Sequence, residues 1–109
     1  MTDEQNPKPD PIPSELAQKD EAFVAMVEEF VQGLSRRVAG LSEALNSQDF
    51  ETFRDLAHQL KSSAGGYGYP GLTAKATELE LCAAAAELEP AQAALKELES
   101  LIARVVIRN

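Results

Sequence analysis

The sequence FETFRDLAHQLKSSAGG, residues 50–66, decides the fold of this chain. Its apolar residues recur at spacings of three and four, which predicts an α-helix with one buried face. Asn46-Ser47-Gln48-Asp49 precedes the helix as a turn and cap signal, and the glycine-rich segment from Gly65 to Gly71 marks its end. The only histidine, His58, lies near the middle of this helix. The residues predicted to face inward are Phe50, Phe53, Ala57, Leu60 and Ala64.

The same spacing recurs on both sides of this segment and predicts three further amphipathic helices. The first is one long helix that begins after Asp20 and reaches Leu45, the next runs from about Leu72 to Glu87, and the last begins near Pro90. Four helices with short links predict an all-α fold, an antiparallel four-helix bundle. Their inward residues are predicted to be Phe23, Val27, Phe30, Leu34, Val38, Leu41 and Leu45; Leu72, Ala76, Leu79, Ala83 and Ala86; and Leu95, Leu98, Ile102 and Val105.

The N-terminal residues lie outside this pattern. Residues 1–13 contain four prolines, which remove backbone donors and favour extended geometry, so they predict a flexible lead. Ser14 is predicted to cap a short extra helix from Glu15 to Lys19, with Leu16 lying across one end of the bundle. Residues 14–109 are thus expected to form a single domain.

Composition restricts the possible partners. The chain has 109 residues and a formal net charge of −8, which disfavours binding to nucleic acid. Its longest apolar run, Leu81–Ala86, is far shorter than a membrane span. We therefore expect a cytoplasmic protein without a membrane partner. The single Cys82 permits no internal disulfide and belongs to no metal-ligand motif, so we expect it to pack on a helix face and expect no bound metal or other cofactor.

The glycine-rich segment that follows the central helix has the spacing G-x-G-x-x-G over residues 66–71. A dinucleotide-binding turn with this spacing follows a strand, whereas this one follows a helix, so we reject the nucleotide interpretation. The segment is expected to end one helix and begin the next. Tyr67 and Tyr69 could pack across the bundle end or contact a partner, and packing is the favoured interpretation.

The position of His58 on its helix can be read from the helical repeat. At about 100° per residue, His58 lies about 100° from Ala57, on the flank of the buried face. Such a lone histidine is most often a polar surface residue or a hydrogen-bonded, partly buried core residue. However, a neutral imidazole is a nucleophile, and Lys61 one turn later could offset the charge of a phosphoryl group. A general base formed with Asp55 or Glu51 is disfavoured because no nucleophile motif or oxyanion site accompanies it.

The residues around His58 also resemble a known family. The run from Ala57 to Ala64, AHQLKSSA, together with Gly68, Leu72, Ala76 and Leu79-Glu80, is similar to the motif of histidine phosphotransfer (HPt) domains. That motif reads A-H-x-L-K-G-S, followed by a glycine, a leucine and a closing L-E pair. Ser62 stands where the family usually has glycine. Glu80 falls where some members place a polar residue near the histidine, although its charge argues against direct contact with phosphate.

The resemblance implies a role in a multistep two-component phosphorelay. His58 would accept a phosphoryl group on its outward ring nitrogen and pass it between receiver-domain aspartates, with Lys61 stabilising the charge. Arg54, Ser62 and Gly65 are the candidate partner contacts. The partners would be response-regulator receiver domains or a hybrid histidine kinase, with Mg²⁺ in the receiver. We expect a monomer without kinase activity of its own. The alternative is a helical adaptor that binds receiver domains without carrying phosphate.

Overall fold

The computed structural model describes residues 10–108, and the regular structure in this range is helical. A short helix α1 (Glu15–Lys19) and a single 3-10 turn (Glu21–Phe23) precede the longer helices. These are α2 (Val24–Gln32), α3 (Leu34–Asn46), α4 (Phe50–Gly66), α5 (Pro70–Ala84) and α6 (Leu88–Ile102).

Helices α3 to α6 form a four-helix bundle. Each packs against the helix before or after it in the chain, and α3 also packs against α6, which closes the ring. The links at residues 47–49, 67–69 and 85–87 are too short for a crossover, so neighbouring helices are antiparallel. The all-α bundle predicted from the sequence is confirmed. Its largest fully buried apolar side chains are Tyr69, Phe53, Leu34, Leu41, Leu60, Leu72, Leu79, Leu98 and Val27.

The prediction of a single long helix from Asp20 to Leu45 is wrong, because the helix is interrupted twice. Asp20 caps only the 3-10 turn, where its side chain accepts a hydrogen bond from Ala22 N at 2.9 Å. A second interruption falls at Gly33, whose N–H donates to Phe30 O at 3.1 Å, three residues back. Glycine has the weakest helix propensity apart from proline, and a bond to the third preceding residue tightens the turn. The helix therefore divides into α2 and α3, although the predicted apolar face continues across the break.

The boundaries of α5 also differ from the prediction. The helix begins at Pro70 and ends at Ala84, three residues before Glu87. Ala86 has a φ of +54° and is exposed, so its predicted inward position is wrong. The chain has already left the helix there, because Glu87 N–H donates to Cys82 O at 3.1 Å and closes the helix end. Val105 lies beyond the end of α6 but is half-buried against the core.

The predicted flexible lead falls mostly on residues 1–9, which lie outside the described residues. The prediction is not met at residues 10–13, which pair with the C-terminal segment. Ile12 forms a parallel bridge with Val105, donating from its N–H to Arg104 O at 2.8 Å and accepting from Val106 N–H at 2.9 Å. The flanking prolines favour an extended Ile12, and this geometry lets both of its backbone groups form hydrogen bonds.

Helix α1 is confirmed, and it covers the end of the bundle where α4 meets α5. Ser14 Oγ accepts from Ala17 N at 3.0 Å as the helix cap and donates to Tyr67 O at 2.6 Å. Glu15 N–H donates to Gly68 O at 2.8 Å. Gly68 has a φ of +88°, and a Cβ on it would lie only 2.8 Å from Glu15 N. The absence of a side chain at residue 68 therefore allows α1 to approach the turn.

Tyr67 and Tyr69 pack within the same bundle end, as predicted. Their rings stack on Phe30 with centroid distances of 4.9 and 5.9 Å. Tyr69 is fully buried, and its hydroxyl donates to Val106 O at 2.8 Å. Burial raises the pKa of Tyr69 to about 12. Gly66 ends α4 and Pro70 begins α5, so the G-x-G-x-x-G segment is an interhelical turn.

Candidate functional site

His58 lies on the outer flank of α4, where the helical repeat places it. Ala57 beside it is fully buried, whereas 61% of the His58 side chain is exposed. Helix α4 begins at the cap formed by Asp49, which accepts from Thr52 N at 3.1 Å, and its buried face sets its rotation. The imidazole is therefore attached to a rigid helix but accessible to another molecule.

Glu80 of α5 holds one side of the imidazole. Its Oε2 lies 2.9 Å from His58 Nδ1. Glu80 follows the buried Leu79, which turns the carboxylate towards α4 across the helix pair. An ionised carboxylate can only accept a hydrogen bond, so Nδ1 carries the proton. In the neutral ring this leaves the lone pair on Nε2, the nitrogen that faces away from Glu80.

Lys61 binds the same carboxylate from the next turn of α4. Its Nζ lies 2.7 Å from Glu80 Oε1, so each oxygen of Glu80 has one partner. Only 17% of the Glu80 side chain is exposed, against 33% for Lys61. The hydrogen bond from Lys61 is the largest influence that lowers the pKa of Glu80, and the His58 bond adds to it while burial opposes it. Glu80 thus links the two residues predicted to carry the chemistry.

An open groove of about 460 Å³ lies beside the imidazole, between α4 and α5. Its floor includes apolar surface from Phe50, Ala83 and Ala84. Arg54 lines it, as predicted for a partner contact, and forms no ion pair with a residue in the 10–108 range. The carboxylates of Glu51, Asp55 and Glu80 complete the lining together with His58.

The remaining predicted site residues lie on the following turns of α4. Ser62 and Gly65 are both on its outer side, with Gly65 exposed and Ser62 on the turn after His58. A Cβ at Gly65 would lie 3.3 Å from Thr73 Oγ1 on α5, so this glycine lies close to the neighbouring helix. The structure therefore brings His58 and Lys61 together through Glu80 and puts Arg54 in the same groove. It shows no contact that joins Ser62 or Gly65 to them within residues 10–108, and their role remains a prediction.

The groove also includes residues that the sequence did not assign to the site. Phe50 and Ala83 were predicted only to face inward, and Ala84 was not singled out, yet all three line the groove beside the histidine. Glu80 was placed near the histidine only through the L-E pair of the family motif. Its bridging position depends on the register between α4 and α5, which no local pattern specifies.

The described part of the chain contains neither a cluster of metal ligands nor a membrane-spanning helix. In residues 10–108 no three His, Cys, Asp or Glu side chains gather as a metal site. No helix in this range is both long and apolar enough to cross a membrane. Cys82 is half-buried on α5, and burial is the main cause that raises the pKa of its thiol.

The lowered pKa of Glu80 makes the bridge dependent on pH. A carboxyl whose folded pKa is depressed stabilises the fold above its unfolded pKa, and this stability is lost as pH falls through the folded pKa. We expect the Glu80 carboxyl carbon, followed by NMR, to titrate below the ordinary glutamate range. In Lys61→Ala the pKa should rise towards that range, because the largest cause of the shift is removed. An unchanged Glu80 pKa in this variant would contradict the bridge.

The comparisons with known proteins agree with this geometry. The model of the Hpt domain family matches residues 25–106 of the 109-residue chain, a range that contains His58, Lys61 and Glu80. No curated protein matches the chain, and no solved structure matches it. A family match over most of the chain, on an all-helical bundle with an exposed histidine, shows that this protein belongs to the Hpt domain family.

Proposed function

We propose that this protein carries a phosphoryl group on His58 between receiver-domain aspartates of a multistep phosphorelay. Hpt domains are histidine phosphotransfer modules of phosphorelays, which act with receiver domains and histidine kinases. One observation supports the carrier role in this chain above all others. Glu80 occupies Nδ1 of an exposed imidazole and leaves Nε2 available as the nucleophile.

The transfer step needs little more than this nucleophile and correct positioning. The Nε2 lone pair attacks phosphorus in line, an N–P bond forms, and the bond from phosphorus to the aspartyl oxygen breaks to release the carboxylate. The ring then carries positive charge, because Nδ1 keeps its proton. Glu80 Oε2 at 2.9 Å offsets that charge and holds the ring plane. The reverse reaction on a second receiver returns the ring to its neutral form.

The surrounding charges suit a carrier that releases its phosphoryl group. Glu51 and Asp55 line the groove beside His58 and repel a phosphoryl group on Nε2. Lys61 attracts it and can donate a hydrogen bond to a phosphoryl oxygen while it keeps its bond to Glu80, since an ammonium has three donors. Lys61 therefore stabilises the phosphorylated state, whereas Glu51 and Asp55 destabilise it. This balance favours onward transfer of the phosphoryl group over its storage.

The remaining parts of the reaction belong to the partner. We expect the receiver to supply Mg²⁺ and the acid-base groups, because this chain is proposed to supply a nucleophile and a docking surface. Arg54 in the groove, with Ser62 and Gly65 on the next turns, are the proposed contacts around His58. We propose that the protein acts as a cytoplasmic monomer, without nucleic acid or membrane partners and without kinase activity of its own.

The proposal is tested by mixing the protein with receiver domains that carry labelled phosphate. A carrier takes up label that is stable in base and lost in acid, as expected for phosphohistidine. It then passes the label to a second receiver. An adaptor forms a complex with the receivers but takes up no label. Stable complexes without label on this chain, across the receivers of the same genome, would exclude the carrier role.

Lys61→Ala is expected to slow phosphoryl transfer to His58 about tenfold, corresponding to about 1.4 kcal/mol of lost charge stabilisation. The variant also leaves the Glu80 carboxylate without its Lys61 partner beside the incoming phosphoryl group. The rate is measured by single-turnover transfer from a phosphorylated receiver. Lys96→Ala is the matched control, since Lys96 is exposed on α6 and lines a different groove. Equal rates for the two variants would remove Lys61 from the mechanism.

A further inference from the structure

A second cleft lies on the other side of α4, between α3 and α4. It has a volume of about 400 Å³ and is lined by Gly33, Arg36, Arg37, Leu56 and Gln59. Gly33 lies at the break between α2 and α3 and adds no side chain to the cleft. The carrier chemistry proposed for His58 makes no use of this cleft.

The charge of the cleft is opposite to that of the protein. The chain carries a formal net charge of −8, yet the residues that line the cleft include two guanidinium groups and no carboxylate. Within the described residues neither Arg36 nor Arg37 forms an ion pair, since the four ion pairs of this range use His58 or a lysine. The cleft is therefore a local cationic surface without a counterion from residues 10–108.

Arg37 is held in place, whereas Arg36 is exposed. The Arg37 guanidinium carbon lies 5.7 Å from the centroid of the Phe30 ring, and Nη2 donates to Ser63 Oγ at 3.4 Å. These contacts orient the group but use only one of its five N–H donors. Arg36 is exposed on α3. One fixed and one exposed guanidinium together suit carboxylates brought by another molecule.

The cleft and the reactive histidine lie on two sides of the same helix, α4. Gln59, which lines the cleft, directly follows His58 in the sequence but lies about 100° from it around the helix. A typical protein partner covers about 800 Å², a patch that reaches about 16 Å from its centre. Packed helices lie about 8–10 Å apart, so a partner that contacts His58 and spans α4 can also reach α3. The cleft is therefore within reach of a phosphoryl donor or acceptor that docks at His58.

We propose that the cleft formed by Gly33, Arg36, Arg37, Leu56 and Gln59 is a docking site for an acidic surface of the receiver domain. This inference rests on the proposed function for the choice of partner. Complementary charge at the rim of an interface mainly raises the association rate, and a partly buried charge slows dissociation. Arg36 is thus expected to control association and its salt dependence, and Arg37 to control dissociation.

The test measures binding separately from transfer. Receiver domains of the same genome are titrated with His58→Gln protein, which keeps the cleft but cannot accept phosphate. Adding Arg36→Glu should raise the dissociation constant at least tenfold, chiefly through slower association. The dissociation constant of this variant should also depend less on the NaCl concentration. Lys96→Glu makes the same change in net charge on α6 and should alter binding less than twofold.

Arg37→Gln provides a second variant and should speed dissociation. Its fold is checked by circular dichroism, because Arg37 also contacts Phe30 and Ser63. Equal binding by Arg36→Glu and Lys96→Glu would overturn the docking site while leaving phosphotransfer to His58 intact. If Arg36→Glu loses binding but no receiver transfers label to the wild-type protein, the two results separate. The lost binding would support the docking site, and the missing label would contradict the carrier role.

Discussion

His58→Gln is expected to abolish uptake of acid-labile phosphate from a phosphorylated receiver, while leaving the fold unchanged. Glutamine has no nucleophilic ring nitrogen, so the step in which Nε2 forms a bond to phosphorus cannot occur. His58 is 61% exposed and contributes no core packing, so we expect the free energy of unfolding to change by less than about 0.5 kcal/mol. Glutamine is also a good helix former, and the Lys61–Glu80 ion pair can persist without the imidazole.

The measurement compares label on wild type and variant after mixing with the same receiver, followed by acid and base treatment. Thermal unfolding of both proteins shows that the variant is folded. The size of the effect separates this variant from Lys61→Ala, because removing the nucleophile eliminates transfer whereas removing a stabilising charge slows it. Equal label on wild type and His58→Gln would show that another residue accepts the phosphate.

The sequence predicted the scaffold of the site well because helical periodicity is a local property. Because Ala57 lies at the centre of the predicted buried face, the helical repeat places His58 on the exposed flank. The structure confirms both positions. The contact from Glu80 to His58 joins residues 22 positions apart and depends on how α4 and α5 align. Periodicity along each helix contains no information on that alignment. Only the family motif indicated that Glu80 lies near the histidine.

The errors in the fold arose where tertiary contacts or backbone conformation overrode a regular pattern. The apolar spacing of residues 23–45 continues through Gly33, so it indicated one helix although the backbone tightens at that residue. The spacing also assigned Ala86 to the core, although α5 ends before it and Ala86 itself has a positive φ. Residues 10–13 looked unstructured because their partner, the segment around Val105, is remote in the sequence.

The turn at Gly68 is the second position where a single substitution should have a large effect, this time on stability. Gly68→Ala is expected to lower the free energy of unfolding by about 2–4 kcal/mol. A φ of +88° is unfavourable for alanine, and its Cβ would lie 2.8 Å from Glu15 N and 2.9 Å from Ser14 Oγ. Helix α1 would have to move away, which breaks the Glu15 N–H to Gly68 O hydrogen bond. Denaturant unfolding measures the loss.

Gly66→Ala and Gly68→Asn separate the physical causes of this loss. Gly66 is helical, and a Cβ added to it would meet no atom within 4 Å, so alanine there should be neutral or stabilise by up to about 1 kcal/mol. Asparagine tolerates positive φ better than alanine but carries the same Cβ. If steric overlap with α1 dominates, as the distances indicate, Gly68→Asn should be at least as destabilising as Gly68→Ala. A clear recovery of stability in Gly68→Asn would instead show that glycine is required for its backbone conformation. In that case a Cβ at residue 68 would not force α1 to move away from the turn.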